Sequence, residues 1–402
     1  MILPKRNAPV FTLRRWVGRV CHRGSIFRLL LIGYFEGIDS ERGIAWRAAD
    51  SLALRDFLGL DLHDVTPDHS TISRTRRLIA VETHRAVFTW VAQCLGNAGL
   101  IKGKTIGLEA TTLEANAALR SIVRRDTGEG YEEFLTRLAK ASGIGTPTRA
   151  DLARLDRKRK KKGANNEWTH PHDPDAKITK MKDGRTHLAH KAEHAIDLET
   201  GAIVAVTVQG AHQGDTTTIR ETLPEAAEQL EAVAAVTDDA VKVIEEVVAD
   251  KGYHSRTTVY DLQTLEIRTY ISEPDRGPQS WIDQRAERDA VYANRRGKRL
   301  MRRRGELLER PCAHLYETGG LRRTHVRGHE NVLKRLLVHA SAFNLGLWMR
   351  SLFGVGTPRA LQGRVVAIGA LLRTLSTLIY EAIAPIWDRN ASPAPVRRLS
   401  TA

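Results

Sequence analysis

The stretch Val243-Ile-Glu-Glu-Val-Val-Ala-Asp-Lys-Gly-Tyr253 decides the fold of this chain. A run rich in Val and Ile that stops at turn residues is typical of a buried β-strand. This run ends at the carboxylate of Asp250, and Gly252 then breaks it. Open α/β sheets place their chemistry at the carboxyl ends of strands, so Asp250 is a candidate catalytic acid. An Asp here also commonly caps a following helix, and the pattern alone leaves both interpretations open.

A second candidate strand is Lys104-Thr-Ile-Gly-Leu-Glu-Ala-Thr-Thr-Leu-Glu114, which places Glu109 at or near its end. The segments 187–196 and 202–208 flank a turn that closes on Gly201, and they predict a β-hairpin. The other predicted elements are a helix over 216–236, a helix over 257–264 and a short strand over 267–271. Strands and helices in this order indicate an α/β fold with a mixed sheet.

The chain is strongly basic. Its 402 residues contain 62 Lys and Arg against 47 Asp and Glu, which gives a net charge of +15. This balance makes a polyanion the first expected partner. The three cysteines form no paired motif, as is typical of a reducing interior. A chain of this length can hold two or three domains.

The N-terminal region is predicted to be helical over 26–60 and again over 87–100. Between them, Thr66 is a candidate helix cap with Pro67 at the first helical position. The helix that follows carries hydroxyl groups and the cations Arg74, Arg76 and Arg77. A short helix, a turn and a polar, basic helix form the pattern of helix-turn-helix DNA readers. A capped surface helix with scattered arginines fits the pattern equally well.

Two further basic clusters lie downstream. The segment 145–163 is loop-like and contains six consecutive cations, which are Arg157, Lys158, Arg159, Lys160, Lys161 and Lys162. Such a block repels itself unless it meets an anion, and the charge of the whole chain favours nucleic acid over a solvated loop. A basic helix is predicted over 284–310, with Arg295, Arg302 and Arg303 among its cations. A helix over 329–349 and a linker over 354–363 follow.

Neither end of the chain is predicted to enter a membrane. The first residues are basic and interrupted by Pro4 and Pro9, unlike a secretory signal. The apolar stretch over 365–387 contains Arg373 and Glu381, which a membrane span tolerates only at high cost, so we predict a packed amphipathic helix. We expect a cytoplasmic, nucleoid-associated protein.

The histidines at 187, 190 and 194 do not predict a zinc site. No cysteine lies near them, and on a strand only His190 and His194 share a face. Carboxylates offer a better metal site, because Glu109, Asp250 and either Glu309 or Glu306 could converge on one sheet. Such a set suits Mg²⁺, and two ions could activate a water or a 3′-hydroxyl and stabilise the leaving oxygen of a phosphodiester.

At these residues the chain resembles the DDE transposases of bacterial insertion sequences. The resemblance extends in a consistent order over about 29–350. The matching stretches begin with Gly33-Tyr-Phe-Glu-Gly-Ile-Asp-Ser-Glu-Arg-Gly-Ile-Ala-Trp46, Thr66-Pro-Asp-His-Ser-Thr71 and Gly107-Leu-Glu-Ala-Thr-Thr-Leu-Glu-Ala-Asn-Ala-Ala-Leu-Arg120. They continue with Ser121-Ile-Val-Arg-Arg-Asp-Thr-Gly-Glu129, Gln213-Gly-Asp-Thr216, Ala249-Asp-Lys-Gly-Tyr-His254, Glu309-Arg-Pro-Cys-Ala-His314 and Gly328-His-Glu-Asn-Val-Leu-Lys-Arg335.

The resemblance implies an RNase H-like catalytic core whose three acids are Glu109, Asp250 and Glu309. It implies Mg²⁺ as cofactor, in two copies and replaceable by Mn²⁺. The implied partners are the terminal inverted repeats and target DNA, with the chain acting as a homo-oligomer. The implied organisation is a helical DNA-binding domain over 1–100, a catalytic domain over 101–350 with a basic insertion at about 120–182, and a C-terminal helix and tail over 351–402.

The chain departs from the family pattern at two places. The first acid of the family is Asp, whereas this chain has Glu109. Its extra methylene moves the carboxylate by roughly an ångström, a displacement that can cost about a hundredfold in rate. The family's Tyr-Arg-Glu-Lys motif is met only by Tyr292 and Arg295, which leaves Glu306 as a rival to Glu309. The alternatives to an active transposase are a catalytically weakened or inactive DNA-binding relative and a metal-dependent DNA nuclease.

If the cations at 157–162 contact DNA, replacing all six with Ala should flatten the salt dependence of DNA binding. The expected change is about one logarithmic unit of slope for each lost phosphate contact. Binding titrations over a series of salt concentrations measure this slope. A slope equal to that of the wild type would mean that these cations are only solvated.

Overall fold

The computed structural model describes residues 23–159, 163–181, 183–237, 241–272 and 295–364. The chain divides into two compact units, one ending at Leu345 and one starting at Gly346. Several sequence predictions lie outside the described residues: the cations Lys160, Lys161 and Lys162, Tyr292, the side chain of Arg295, and the helix predicted over 365–387.

The N-terminal region forms five helices: α1 (Arg23–Glu36), α2 (Glu41–Asp50), α3 (Leu52–Leu58), α4 (His69–Leu78) and α5 (Val81–Asn97). The stretch predicted as helical over 26–60 is broken into three helices by two serine caps. Ser40 Oγ accepts a hydrogen bond from the Gly43 N–H at 3.1 Å, and Ser51 Oγ caps α3 in the same way. Apolar side chains of α1 to α4 share one core, which includes Leu29, Ile44 and Ile72.

The cap of α4 is Asp68, so the prediction that Thr66 caps this helix was wrong. The Asp68 carboxylate accepts hydrogen bonds from the Thr71 N–H at 2.6 Å and from the Ser70 hydroxyl at 2.9 Å. These bonds favour its charged form and lower the pKa of Asp68 to about 2. A carboxylate is preferred because the free N–H groups of a helix start attract negative charge.

The central sheet contains β1 (Thr105–Glu114), β4 (Lys177–Lys180), β5 (Thr186–Asp197), β6 (Ile203–Gly210), β7 (Glu246–Ala249) and β8 (Arg268–Ile271). The strand order is β4-β5-β1-β7-β8, and β6 also pairs with β5. Strand β1 runs antiparallel to β5 and parallel to β7, and β7 runs parallel to β8. The prediction of a mixed α/β sheet is therefore confirmed.

The predicted hairpin forms between β5 and β6, and its turn depends on Asp197. This buried carboxylate accepts from the N–H groups of Lys102, Gly103 and Glu199 at 2.6, 2.9 and 2.7 Å. It therefore ties the start of β1 to the hairpin. Helices α8 (Asp215–Ala234) and α9 (Arg256–Thr264) confirm the two helices predicted around β7.

The insertion between β1 and β4 contains β2 (Val123–Arg124), α6 (Tyr131–Ala141), α7 (Arg149–Lys158) and β3 (Trp168–Thr169). The loop predicted over 145–163 was therefore wrong for its middle part. Thr148 and Asp151 form a reciprocal capping box that starts α7. The ring of Trp168 packs edge-on against those of Tyr131 and Phe134, which gives the insertion its own small core.

Two helices, α10 (Arg295–Ala313) and α11 (His329–Phe353), complete the fold. Leu308 of α10 packs on Gly107, where a Cβ atom would lie 2.6 Å from Leu308 Cδ1, so the close approach requires glycine. Asn344 of α11 is buried and bonds both the N–H and the carbonyl of Ile203, at 2.9 and 2.8 Å. The first N–H groups of α11 bond Asp173 and Asp175 of the insertion.

The second unit is described only for residues 346–364. Residues 358–364 are helical, so the linker predicted over 354–363 is only partly present. Across the described residues of the whole chain, no helix combines the length and the apolar character that a membrane crossing requires.

Candidate catalytic site

The register of two parallel strands brings Glu109 and Asp250 side by side. Strand β1 pairs with β7 from Thr105 opposite Glu246 to Gly107 opposite Val248. Glu109 and Asp250 each lie two residues beyond the last pair. Both carboxylates therefore stand at the edge where the paired part of the two strands ends, and both are half-exposed.

Asp250 performs the capping role that its sequence also predicted. Its Oδ1 accepts a hydrogen bond from the Gly252 N–H at 2.8 Å and starts the 3₁₀ turn Lys251–Tyr253. This bond uses one carboxylate oxygen and fixes the orientation of the group. The capping and catalytic interpretations are therefore compatible.

Glu109 lies in the middle of the ten-residue β1, not at its end. It nevertheless lies just past the parallel pairing, because only the first part of β1 pairs with β7. The Glu109 carboxylate forms an ion pair with the guanidinium of Arg304, which reaches it from α10. This arginine partly neutralises the charge of the first candidate acid.

Two side chains next to Glu109 on this face of the sheet are buried and uncharged. In the antiparallel pairing of β1 and β5, Glu109 lies opposite His194, whose ring is fully buried. Burial lowers the pKa of His194 to about 4, so this ring is uncharged at neutral pH. His194 Nε2 lies 2.5 Å from the hydroxyl of Tyr316, and burial raises the pKa of this tyrosine.

The two candidates for a third acid, Glu306 and Glu309, are exposed on α10. The face of α10 that packs on the sheet carries Leu308, and Arg304 projects from nearly the same side. Among the described residues, no three His, Cys, Asp or Glu side chains converge on a point where a metal ion could bind. The structure therefore brings together Glu109 and Asp250 and leaves the third acid apart.

A buried carboxylate that the sequence reading missed anchors the turn after Asp250. Glu193 of β5 is fully buried and accepts hydrogen bonds from the hydroxyls of Tyr253 at 2.6 Å and Thr218 at 2.8 Å. Thr222 supplies a further hydroxyl bond. Burial is the main cause of the raised pKa of Glu193. One signal was available, because Glu193 lies inside a segment that the sequence predicts to be a strand of the sheet.

The cations predicted to contact DNA lie in different surroundings. Arg77, Arg157, Lys158 and Arg302 are exposed. Arg303 is exposed as well and donates to the Glu199 carbonyl at 2.7 Å. Arg74 is half-buried, and Arg76 forms an ion pair with Glu41 at 2.7 Å. Arg159 pairs with Asp156 and stacks over the ring of Phe134 at 4.9 Å. In this conformation, the exposed cations of this set are the ones that a polyanion could contact.

The donor chemistry of the site fits a hard divalent cation. Mg²⁺ is commonly bound by one or two carboxylates, with waters and substrate phosphates as its other ligands. Glu109 and Asp250 supply two carboxylates at one sheet edge. Arg304 pairs with Glu109 Oε2, so a metal bound at that oxygen would compete with the guanidinium.

Two family models match the chain. A model described as Transposase domain (DUF772) matches residues 19–78, which include α1 to α4. A model described as Transposase DDE domain matches residues 165–345, which include Asp250 and Glu309. No curated protein and no solved structure matches the chain. The DDE domain has an RNase H-like fold, and the mixed sheet with its flanking helices agrees with it.

Glu193→Gln is expected to weaken the pH dependence of stability. Burial raises the pKa of Glu193 above its ordinary value of 4.5, so the folded chain retains a proton that the unfolded chain releases. The stability that depends on this group is fully present below pH 4.5 and is lost as pH rises through the higher pKa of the folded state.

Urea unfolding of both chains over a pH series measures this difference. The Gln side chain keeps the shape and cannot titrate, so the variant should lose less stability than the wild type between acid and neutral pH. Equal losses in the two chains would contradict a raised pKa of Glu193.

Proposed function

The chain belongs to the DDE transposases of insertion-sequence type and is a DNA transposase, and we propose that it cuts and rejoins DNA at the element's terminal inverted repeats. The proposed chemistry is Mg²⁺-dependent phosphodiester hydrolysis followed by strand transfer. The observation that carries this proposal is the register that sets Glu109 beside Asp250 at one edge of the sheet. Transposases of this family act on DNA and generally use divalent metal ions.

Glu109 and Asp250 are the residues proposed to hold the metal. When bound, Mg²⁺ can activate a water or a 3′-hydroxyl and neutralise charge on the phosphate. Asp250 is prepared for this role because the Gly252 N–H already fixes one of its oxygens. A metal at Glu109 Oε2 would displace Arg304, and the freed guanidinium could then pair with a DNA phosphate next to the scissile bond.

The geometry of α10 favours Glu309 over Glu306 as the third acid. Successive residues of an α-helix are about 100° apart around its axis. Glu309 therefore lies about 100° from the sheet-facing Leu308, whereas Glu306 lies about 200° away, on the far side of the helix. Of the two acids, Glu309 needs the smaller rotation of α10 to turn toward the sheet edge. We propose that DNA and metal binding stabilise that arrangement.

The exposed cations support the DNA part of the proposal. Arg77 on α4, Arg157 and Lys158 on α7, and Arg302 on α10 place positive charge on three separate parts of the first unit. Neutralising phosphates with such groups releases counterions, which is the main source of sequence-independent DNA affinity. We propose that the chain acts as a homo-oligomer at the bacterial nucleoid, with both the element ends and the target DNA as partners.

Asp250→Asn and Glu109→Gln should abolish cleavage of DNA that carries the element ends while leaving DNA binding intact. Each change removes a carboxylate charge and keeps the side-chain shape. Losing an outer-shell partner of a metal already costs about 10–100-fold in activity, so losing a direct ligand should cost more. Cleavage assays with Mg²⁺ and with Mn²⁺, together with binding titrations, measure both properties.

Glu309→Gln and Glu306→Gln are a matched pair on the same exposed helix. Loss of cleavage in the Glu309→Gln variant only would support Glu309 as the third acid.

Cut ends without joined products from the wild-type chain would identify a nuclease. No cleavage by the wild type, with cleavage by Glu109→Asp, would identify a weakened copy of the enzyme. Full cleavage by Asp250→Asn would contradict the proposed site.

A further inference from the structure

A second aspartate lies against the turn that holds Asp250. Asp215 is the first residue of α8, and its carboxylate lies on the side of Gly252 where a Cβ atom would be. A Cβ atom on Gly252 would lie within 3.0 Å of both Asp215 Oδ2 and Asp250 Oδ1. The two carboxylates therefore flank the same glycine, and only a residue without a side chain fits between them.

A buried lysine accompanies this aspartate. Lys191 of β5 is almost fully buried, and its ammonium forms an ion pair with Asp215. The same ammonium donates a hydrogen bond to the Gln213 carbonyl at 3.1 Å. Lys191 and Glu193 are two residues apart on β5, so both side chains lie on the face that meets α8. The start of α8 is thus fastened to the strand that pairs with β1.

The arrangement costs free energy that a purely structural role does not require. Burial of a lysine is unfavourable unless it is paired, and two neighbouring carboxylates repel each other. Lys191 offsets the repulsion between Asp215 and Asp250 as long as no other cation is present. The ammonium and the aspartate thus form an ion pair next to the turn that carries the Asp250 carboxylate.

We propose that Asp215 and Lys191 are positioning residues for Asp250. Asp215 packs against Gly252, whose N–H orients the Asp250 carboxylate, and Lys191 holds Asp215 in place. The Tyr253 hydroxyl fastens the other end of the same turn to Glu193. The turn that follows the catalytic strand is therefore fixed at two points to α8 and β5. This inference rests on the proposed function, because it assigns the pair a role in that reaction.

Asp215→Asn and Lys191→Met test the pair in the full-length chain. Asp261→Asn is the matched control, because Asp261 pairs with Arg220 of the same helix α8, at 2.9 Å, in an exposed ion pair. The first readout is the affinity for Mn²⁺ in the DNA-bound chain, measured by electron paramagnetic resonance. The second is the dependence of the cleavage rate on Mg²⁺ concentration. Urea unfolding of each variant reports whether the fold is retained.

Asp215→Asn should weaken Mn²⁺ binding by about 10–100-fold, as other losses of outer-shell partners do. Its cleavage should require correspondingly more Mg²⁺, with the rate partly recovered at high concentration. Lys191→Met should act in the same direction, and Lys191→Arg should restore part of the affinity. The control should match the wild type in both readouts.

Mn²⁺ affinity within about twofold of the wild type in both folded variants would overturn the positioning role while leaving the proposed function intact. A variant that is equally impaired at every Mg²⁺ concentration, with unchanged Mn²⁺ affinity, would also overturn it. A wild-type chain that binds no Mn²⁺ on DNA and cleaves no ends would remove the proposed function and this role with it.

Discussion

The parallel pairing of β1 with β7 is the constraint on which the candidate site depends. Only three residue pairs join these strands, yet they fix the relative positions of Glu109 and Asp250. Because side chains alternate along a strand, a slip of one residue would turn one of the two carboxylates to the other face of the sheet. Gly107 lies within this pairing and also admits Leu308, so the same segment positions α10 against the sheet.

Buried polar groups connect this pairing to the rest of the first unit. Asp197 ties the β5–β6 turn to the start of β1, and Glu193 ties the turn after Asp250 to α8. Such groups are expensive to bury unless every partner is present, so each network specifies one arrangement of its elements. The candidate catalytic edge is therefore built from strands whose positions are fixed by polar contacts beneath it.

The sequence predicted the parts of the fold that local patterns control. The strand that contains Glu109, the strand that precedes Asp250, the hairpin and α8 were all readable from apolar runs and turn residues. The start of α7 was missed, because the cation block concealed the capping pair Thr148 and Asp151. The partners of Glu193 and of Glu109 are contributed by residues far away in the chain, and no local pattern encodes them. The orientation of α10 is also a tertiary property, so the sequence could not show that Arg304 would meet Glu109.

The most direct test of the account is to map where a divalent metal binds on the DNA-bound chain. When ascorbate and hydrogen peroxide are added, Fe²⁺ bound in place of Mg²⁺ reduces the peroxide to hydroxyl radicals that cut the nearest peptide bonds, and the fragments identify these positions. The account predicts cuts close to Glu109 and Asp250, suppressed by excess Mg²⁺. Cuts confined to other parts of the chain, or cuts that persist in a chain carrying both Glu109→Gln and Asp250→Asn, would contradict it.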